Sequence, residues 1–597
     1  LDLTPDGHAD KPRCLSNLGN AFERLGELGD IKNALSVKRQ AVDLTPDGHA
    51  DKPGLLNNLG NAFQSRFEHL HDPEDISEAI AAYQRATKNT SGPPLTRYNA
   101  ARRWAILCLK HQSVSSALNS YNVVLEIIPQ IVWLGQTIHH RYEQLPRIGR
   151  TINAAAATAI SAGDLPRAVE WLEEGRSIVW KQILQLHTPL DELRQKHPDL
   201  ANELSMVSLA LGNAGTSDFH DIGLETKQKS AEDEAQNHRK SAVRYEELLA
   251  QVRELDGFGS FLRPKKFSEL VSAASNGPVV LVNVAELCCD ALVLCTSGEI
   301  VPVPLPTFSY KQAKVLDLKL LSLRAQLDRN RNGDRASRPA VKDHSFISVL
   351  VNLWSYVVKP ILSEIEAALY ENADSSLPHI TWCATGALAF LPLHAAGIYG
   401  SEDPTKDVNI SDFAVSSYTT TLSALLGSGS NSKQDPTVFH SVLIVSQPAT
   451  PGPYLGLPGT VKEAEVIQRY ASPAHTCHLT HELATVEAVS GEMSKYDIIH
   501  LACHGIQDIE KPLNSAFALY DGRLQLNRLM TLSLKNTKLA FLSACQTATG
   551  DENLPEEAVH LAAGMLAIGY PSVIATMWSI KDNDAPLIAD KVYANLL

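Results

Sequence analysis

Two apolar runs of the sequence are each followed by a reactive residue. The first is in Ile499-His-Leu-Ala-Cys-His-Gly505, where His504 and Gly505 follow the run, and the second is in Leu542-Ser-Ala-Cys-Gln-Thr547, where Cys545 follows it. Apolar runs of this length predict buried strands of a parallel sheet. The functional crevice of an open parallel sheet lies beyond the carboxyl ends of its strands. We therefore expect His504 and Cys545, which are 41 positions apart, to meet at one edge of the sheet.

A histidine and a cysteine at one edge can carry out nucleophilic catalysis. A free thiol is mostly protonated at neutral pH, and a nearby imidazole can take its proton and later give it to a leaving amine. The oxyanion that forms needs backbone N–H donors. Gly505 leaves room for one donor, and the amide of Cys545 is the natural second.

Other apolar runs extend the sheet. Strands are predicted for residues 278–283, 291–295, 380–383, 387–394, 441–445, 497–501, 538–543 and 572–576, with helices at 460–470 and 557–568. The alternation of runs and helices predicts an α/β domain with a mostly parallel central sheet. Asp521-Gly522 between two short apolar stretches predicts a two-residue hairpin turn.

This set of motifs resembles the CHAT domain, a caspase-like peptidase module often attached to tetratricopeptide (TPR) repeats. Besides the two stretches quoted first, the matching segments are Gly386-Ala-Leu-Ala-Phe-Leu-Pro-Leu393, Ser417-Tyr-Thr-Thr-Thr-Leu-Ser-Ala424, Leu457-Pro-Gly-Thr-Val-Lys-Glu-Ala464, and Gly569-Tyr-Pro-Ser-Val-Ile-Ala-Thr-Met-Trp578 with Asp582. The resemblance covers about residues 266–597. It implies a caspase-like fold with His504 as base, Cys545 as nucleophile, and Gly505 and Cys545 as oxyanion donors.

The substrate preference is less defined. The caspase pattern Gln-Ala-Cys-x-Gly is here Ser543-Ala-Cys-Gln-Thr547, so cleavage after Asp is not expected. Asp508, Asp551 and Glu552 could line a pocket for a basic residue, since carboxylates pair with Lys and Arg. They could equally be solvated loop charges.

Two residues close to the predicted base, His500 and Cys503, are interpreted as structural rather than catalytic. We expect His500 to be a buried strand residue, and Cys503 to be a packed thiol rather than a second nucleophile. The spacing of the nine cysteines gives no Cys-x-x-Cys pair, so a zinc site has little support, and no metal or cofactor is expected.

The N-terminal half contains a repeat. Leu3-Thr-Pro-Asp-Gly-His-Ala-Asp-Lys-Pro12 and Asn17-Leu-Gly-Asn-Ala-Phe22 both recur 41 residues later, starting at Leu44 and Asn58. Identity at a fixed period indicates a solenoid of helix pairs, in which the glycine of each copy allows close helix approach. It resembles long TPR repeats, whose concave surface would bind a protein partner or substrate. A scaffold that only holds the next domain is the alternative.

These patterns predict a multidomain chain. An all-α TPR-like repeat array covers residues 1–215, a charged helical linker 216–265, and the α/β CHAT domain 266–597. Because the chain begins without Met inside a repeat, we expect it to be a fragment at that end. At the other end it stops after a helix containing Tyr593, so either the chain is truncated there or the last layer of the fold is incomplete.

Composition excludes some classes of protein. A net charge of −14 argues against nucleic acid or an anionic membrane surface as partner. We see no uncharged apolar run of about 18 residues, so no membrane span is expected. Sparse, odd-numbered cysteines fit reduced thiols and a cytoplasmic location.

Three functions follow as hypotheses. The first is a caspase-like cysteine endopeptidase acting on a protein or peptide substrate, with the repeats recruiting a partner and regulating activity. The second is a non-catalytic TPR-CHAT signalling scaffold. The third is an acyltransferase that uses the same dyad.

Overall fold

A computed structural model describes residues 4–5, 8–186, 188–214, 224–331, 344–370, 377–401, 403–426, 440–508, 512–530, 532, 534, 537–544, 560–578 and 580–597. The chain divides into two compact units, which are described one at a time. The first unit is Leu1–Trp133 with Arg147–Gly175, and the second is Leu134–Pro146 with Arg176–Leu597. The domain boundaries drawn from the sequence remain predictions.

The first unit is built from helices. They are α1 Lys11–Leu25, α2 Leu28–Asp43, α3 Lys52–Leu70, α4 Pro73–Lys88, α5 Pro94–His111, α6 Val114–Ile131, the later part of α7 Ile138–Ser161, and α8 Leu165–Glu174. Consecutive helices pack as the antiparallel pairs α1/α2, α3/α4 and α5/α6. The predicted array of TPR-like helical repeats is thereby confirmed.

The repeated glycines lie where two helices approach closely. A Cβ atom at Gly60 would come within 2.6 Å of the Tyr83 ring, and one at Gly19 would come equally close to Lys38 Cγ. Tyr83 is fully buried and donates its hydroxyl to Asn61 Oδ1 at 2.8 Å. A side chain at position 60 would therefore push α3 and α4 apart, which explains the glycine in the repeat.

The second unit begins with further helices, α9 Ile178–Leu186, α10 Asp191–Lys196, α11 Pro198–Ala214, α12 Leu224–Glu254 and α13 Phe267–Leu270. The sequence predicted a solvated helix or linker for the region of α12. Instead, α12 packs on α11 and buries Ala242, Tyr245, Leu248 and Val252. These positions recur at helical spacing, so a narrow apolar stripe anchors an otherwise charged helix.

The next elements are β1 Val279–Val284, β2 Cys289–Leu294, β3 Ile300–Pro304, α14 Tyr310–Arg331, α15 His344–Leu353, α16 Lys359–Tyr370, β4 His379–Ala384, β5 Gly397–Ile398, β6 Val408–Asn409 and β7 Val415–Tyr418. Five of these strands form a sheet of order β3-β2-β1-β4-β7, and β5 pairs with β6. Strand β2 is antiparallel to both β1 and β3, whereas β1 pairs in parallel with β4, and β4 with β7. The connections from β1 to β2 and from β2 to β3 are too short for the crossover that parallel neighbours need, which explains the antiparallel pairing. This sheet is separate from the one that contains β10 and β14.

The run 387–394 was predicted as a strand and is not one. It lies in two short 3-10 turns, Gly386–Phe390 and Leu393–Ala395. Pro392 between them has no N–H to donate to a sheet, which disfavours a central strand here.

Ser345–Tyr370 is the one helical stretch in the described ranges with the length and apolar composition needed to cross a membrane. Its Val349, Leu353, Val357 and Ile361 side chains lie in the core that covers the first sheet. The stretch thus serves as a core helix of the second unit.

The remaining elements surround a second sheet. They are β8 Val442–Ser446, α17 Gly459–Tyr470, β9 Thr476–Thr480, α18 Val486–Glu492, β10 Ile498–Ala502, β11 His504–Ile506, β12 Ala516–Ala518, β13 Arg523–Gln525, α19 Leu526–Leu529, β14 Leu539–Leu542, α20 Leu561–Ala567, β15 Ser572–Ile574 and α21 Ala585–Leu596. The sheet has the order β15-β14-β10-β8-β9, and every neighbouring pair in it is parallel. This confirms the parallel sheet expected from the sequence. Helices α17 and α21 pack together beside it.

The predicted hairpin is present, with its turn displaced by one residue. Strands β12 and β13 pair antiparallel, and Leu519 N donates to Gly522 O at 2.8 Å. The two central residues of the turn are therefore Tyr520 and Asp521. The Asp521 carboxylate accepts a hydrogen bond from Val486 N, which gives the aspartate a structural role.

Candidate active site

The two strands that carry the predicted dyad are neighbours. Strand β10 lies in the middle of the second sheet, and its Leu501 is in register with Leu542 of β14. Because the strands are parallel, residues after Ala502 and after Leu542 leave the sheet at the same edge. Cys545 lies outside the described residues, so the chain is followed on that side as far as Ala544.

His504 follows β10 and is fixed by the loop that leaves the neighbouring strand β8. Its Nε2 atom lies 2.7 Å from the carbonyl oxygen of Leu455. Its ring stacks on Tyr454 with a centroid distance of 5.2 Å and an interplanar angle of 26°. A carbonyl can only accept a hydrogen bond, so Nε2 carries the proton and the lone pair of the neutral imidazole lies on Nδ1. This tautomer can act as a base through Nδ1.

The loop from Gln447 to Pro458 has its own supports. Gln447 N donates to Ala502 O of β10 at 2.9 Å, and Leu457 N donates to Pro448 O at the same distance. At its end, Gly459 N donates to the Asp582 carboxylate at 2.7 Å. Hydrogen bonds therefore hold the loop at Gln447, between Leu457 and Pro448, and at Gly459, the first residue of α17.

Gly505 lies in β11, the strand that continues from His504. Strand β11 pairs with β12 in an antiparallel three-stranded sheet, and Gly505 is opposite Phe517. Phe517 is fully buried, so this small sheet is anchored on the core. The position of Gly505 next to the histidine is compatible with the oxyanion role, which stays a prediction.

On the side of the predicted nucleophile, the last described residues before Cys545 are Ser543 and Ala544. Both follow β14 and are buried. The carbonyl oxygen of Ala544 accepts a hydrogen bond from Thr576 Oγ1 at 2.8 Å. Thr576 comes two residues after β15, the strand next to β14. The backbone that leads to position 545 is thus held from the neighbouring strand.

The predicted pocket residues are only partly described. Asp508 is half-buried, and its backbone N–H donates to Ser515 Oγ at 3.1 Å. Asp551 and Glu552 lie outside the described residues. A pocket for basic residues therefore stays a prediction.

His500 and Cys503 have the burial that the sequence predicted. Cys503 is 1% exposed. His500 is fully buried, with its Nε2 3.1 Å from Glu463 Oε2 and its Nδ1 3.3 Å from the Tyr593 hydroxyl. Burial raises the pKa of Tyr593 well above its ordinary value, with a smaller contribution from the charge of Glu463. These three groups form a structural cluster between β10, α17 and α21.

Metal ligation finds no support in the part of the chain that is described, where no three His, Cys, Asp or Glu side chains cluster suitably.

Sequence reasoning missed Tyr454 and Leu455, and it quoted Thr576 and Asp582 only within a family motif. The segment Pro451-Gly-Pro-Tyr-Leu-Gly-Leu-Pro458 carried a usable signal, because a Gly- and Pro-rich loop at the carboxyl end of a parallel strand is a common location for functional groups.

Part of the second unit matches a known family. Residues 348–597 match the family model of the CHAT domain. The carboxyl-terminal part of the chain is therefore similar to CHAT domains. This domain is related to caspase-like cysteine peptidases.

Among solved structures, one similar chain is a crystal structure of a point variant from Podosopora anserina, assigned as a kinesin light chain with nearly identical TPR-like repeats. It shares 15% identity over 42% of this chain and all of that chain, with a TM-score of 0.20. No curated protein matches the chain.

Proposed function

We propose that the CHAT domain of this chain is a caspase-like cysteine endopeptidase in which His504 and Cys545 form the catalytic dyad. The observation that carries the proposal is the way His504 is held. Its Nε2 donates a hydrogen bond to the Leu455 carbonyl oxygen at 2.7 Å. His504 lies at the sheet edge where the residues after β14 also leave the sheet. A histidine fixed in that tautomer suits a general base better than a solvated surface residue would.

In the proposed reaction, Nδ1 of His504 takes the proton from the Cys545 thiol. The thiolate attacks the carbonyl carbon of a peptide bond, and backbone N–H groups, with Gly505 and Cys545 as candidates, stabilise the oxyanion. The C–N bond then breaks, and the protonated imidazole gives its proton to the leaving amine. Water, deprotonated by the same imidazole, hydrolyses the thioester and releases the free cysteine.

The main-chain carbonyl of Leu455 takes the part that a carboxylate plays in a Ser-His-Asp triad. It orients the ring and selects the tautomer. It carries only a partial charge, so it stabilises the imidazolium less than a carboxylate would. Because a thiol is far more acidic than a serine hydroxyl, a weaker base suffices.

The helical repeats support a recruiting role. Repeat arrays of helix pairs bind proteins in general, and we propose that this array binds a partner or substrate on its concave surface. We also place the protein in the cytoplasm, since the described cysteines are free thiols, as suits a reducing compartment.

The test is cleavage of a mixed peptide library by the full 597-residue chain, compared with its Cys545→Ala and His504→Ala variants. The proposal expects peptide products from the unaltered chain and at least about a thousandfold less from either variant, as for paired nucleophile and base residues in general. Equal background hydrolysis by all three proteins, together with retained partner binding by the repeats, would favour the scaffold. Transfer of the acyl group to an added amine in preference to water would favour the acyltransferase.

A further inference from the structure

Residues 572–582 make hydrogen bonds on both the histidine side and the cysteine side of the candidate site. This stretch, of which residue 579 lies outside the described part, is called the closing segment. It begins with β15 and ends at Asp582, just before α21. We propose that Thr576 and Asp582 of the closing segment are positioning residues that set the geometry of the dyad from both sides, an inference that rests on the proposed function.

On the histidine side, the link runs through the start of α17. Asp582 accepts a hydrogen bond from Gly459 N at 2.7 Å. The contact is close: a Cβ atom at Gly459 would lie 2.2 Å from Asp582 O and 2.7 Å from Asp582 Oδ1. A carboxylate at the first turn of a helix also interacts favourably with the helix dipole. Asp582 is therefore a specific anchor for Gly459.

What Gly459 anchors is the loop that holds His504. Only three residues separate it from Leu455, whose carbonyl binds His504 Nε2. Between them, Leu457 O accepts from the Thr460 hydroxyl at 2.8 Å and Leu457 N donates to Pro448 O. Loss of the Asp582 contact would release the loop at Gly459, and the Leu455 carbonyl could then move relative to the imidazole.

On the cysteine side, Thr576 acts on the peptide unit that begins at Ala544. Its hydroxyl donates to Ala544 O at 2.8 Å. A peptide unit is planar, so a carbonyl held in place also fixes the direction of the amide N–H that follows it. That N–H is the one predicted to donate to the oxyanion. Thr576 should therefore influence oxyanion stabilisation more than thiolate formation.

Thiolate formation and oxyanion stabilisation can be measured separately by labelling the full chain with two electrophiles. Iodoacetamide reports how readily the Cys545 thiolate forms, because its reaction creates no oxyanion. A small acyloxymethyl ketone reports oxyanion stabilisation as well, because thiolate attack places negative charge on its carbonyl oxygen. Mass spectrometry of the Cys545 peptide gives both rates, and the urea-denatured chain gives the unassisted rate of the same thiol.

We expect Asp582→Ala to slow iodoacetamide labelling of Cys545 by roughly tenfold at pH 7 and to move its pH profile toward that of a free thiol near pH 8.5. Asp582→Asn keeps an acceptor oxygen and should restore most of the rate. Asp584→Ala is the matched control, because Asp584 is exposed and its side chain makes no cap hydrogen bond to α21.

Thr576→Val should slow ketone labelling by roughly tenfold while leaving the iodoacetamide rate within about twofold. Thr576→Ser, which keeps the hydroxyl, should label like the unaltered chain. If Thr576→Val fails to fold, the comparison of Thr576→Ser with Thr576→Ala under the same two probes replaces it.

The outcomes distinguish the positioning roles of Thr576 and Asp582 from the proposed protease function. Unaltered rates and pH profiles in Asp582→Ala and Thr576→Val, beside a fast and His504-dependent reaction in the unaltered chain, would overturn the positioning roles and leave the protease. A Cys545 that reacts no faster in the native chain than in urea would overturn the proposed function, and the positioning roles with it.

Discussion

The Nε2 atom of His504 and the carbonyl oxygen of Leu455 are 2.7 Å apart, so a main-chain group fixes the orientation and the tautomer of the predicted base. The two residues belong to different connections of the same parallel sheet, the exits of β10 and β8. The geometry of the base thus depends on a loop that contributes no charged side chain, and several consequences can be measured.

Tyr454 supports the ring of His504 by stacking at 5.2 Å, and its removal should weaken the dyad. An aromatic contact of this kind is worth about 0.5–1.5 kcal/mol, so Tyr454→Ala should lower the native iodoacetamide rate of Cys545 by up to about tenfold. Tyr454→Phe keeps the ring and should behave like the unaltered chain. Equal rates in Tyr454→Ala and Tyr454→Phe would show that the stacking has no functional weight.

The buried Glu463–His500 pair should contribute strongly to stability and nothing to chemistry. His500 Nε2 and Glu463 Oε2 are 3.1 Å apart with both side chains almost fully buried, so Glu463→Ala leaves the buried Nε2 without its carboxylate partner. We expect the free energy of unfolding to fall by about 3 kcal/mol in urea titrations. Glu465→Ala, at an exposed position of the same helix, should change it by less than about 0.5 kcal/mol. Similar effects of the two substitutions would contradict the burial argument.

Gly60 and Gly54 lie in the same helix and should respond to alanine with opposite signs. At Gly60 the added methyl meets the Tyr83 ring at 2.6 Å, and overpacking should cost about 1–3 kcal/mol. At Gly54 the nearest atom is 4.0 Å away, so alanine should add up to about 1 kcal/mol of helix propensity. Thermal unfolding of the first unit in the full chain measures both. A neutral Gly60→Ala would mean that α3 and α4 are not packed as described.

His560 should make stability depend on pH. Burial lowers the pKa of this imidazole to about 4, and its Nδ1 accepts a hydrogen bond from Ala563 N at the start of α20. Its pKa is lower in the folded than in the unfolded chain, so unfolding takes up a proton between pH 6.5 and pH 4. The stabilisation is complete above pH 6.5 and is lost as the pH falls toward 4.

The slope from one such histidine is at most about 1.4 kcal/mol per pH unit. His560→Asn keeps a side-chain acceptor at the cap and removes the titration. The pH dependence of the urea midpoint between pH 4 and 6.5 should therefore be shallower in His560→Asn. An identical slope in both proteins would show that His560 is not a neutral, buried group in the native chain.

The sequence was sufficient for features that have a periodic or repeated signature. The 41-residue repeat predicted the helix pairs that begin at Lys11 and Lys52, and apolar runs predicted that the strands before His504 and Cys545 belong to a parallel sheet. Hydrophobic runs do not specify which sheet they join, which is why the runs of β1, β2 and β4 were not separated from those of β10 and β14. The short loop between β1 and β2 indicates only that these two strands pair antiparallel.

The supports of His504 could not be predicted in the same way. A backbone carbonyl such as that of Leu455 is present at every position, so no residue type marks the one that binds an imidazole. Thr576 was quoted within a family motif, but its role could not be predicted, because its partner is also a main-chain oxygen. Asp582 was visible only as part of a family motif, and its contact with Gly459 N depends on the packing of α21 beside α17.

The central claim is that His504 activates Cys545, and the most direct measurement is the rate of Cys545 alkylation by iodoacetamide at pH 7 in the native chain and in His504→Ala. A free thiol is only a few per cent ionised at this pH, so an activated one should react at least about tenfold faster than the same residue in urea. The account predicts this enhancement in the unaltered chain and its loss in His504→Ala. Equal rates in the two native proteins would contradict it.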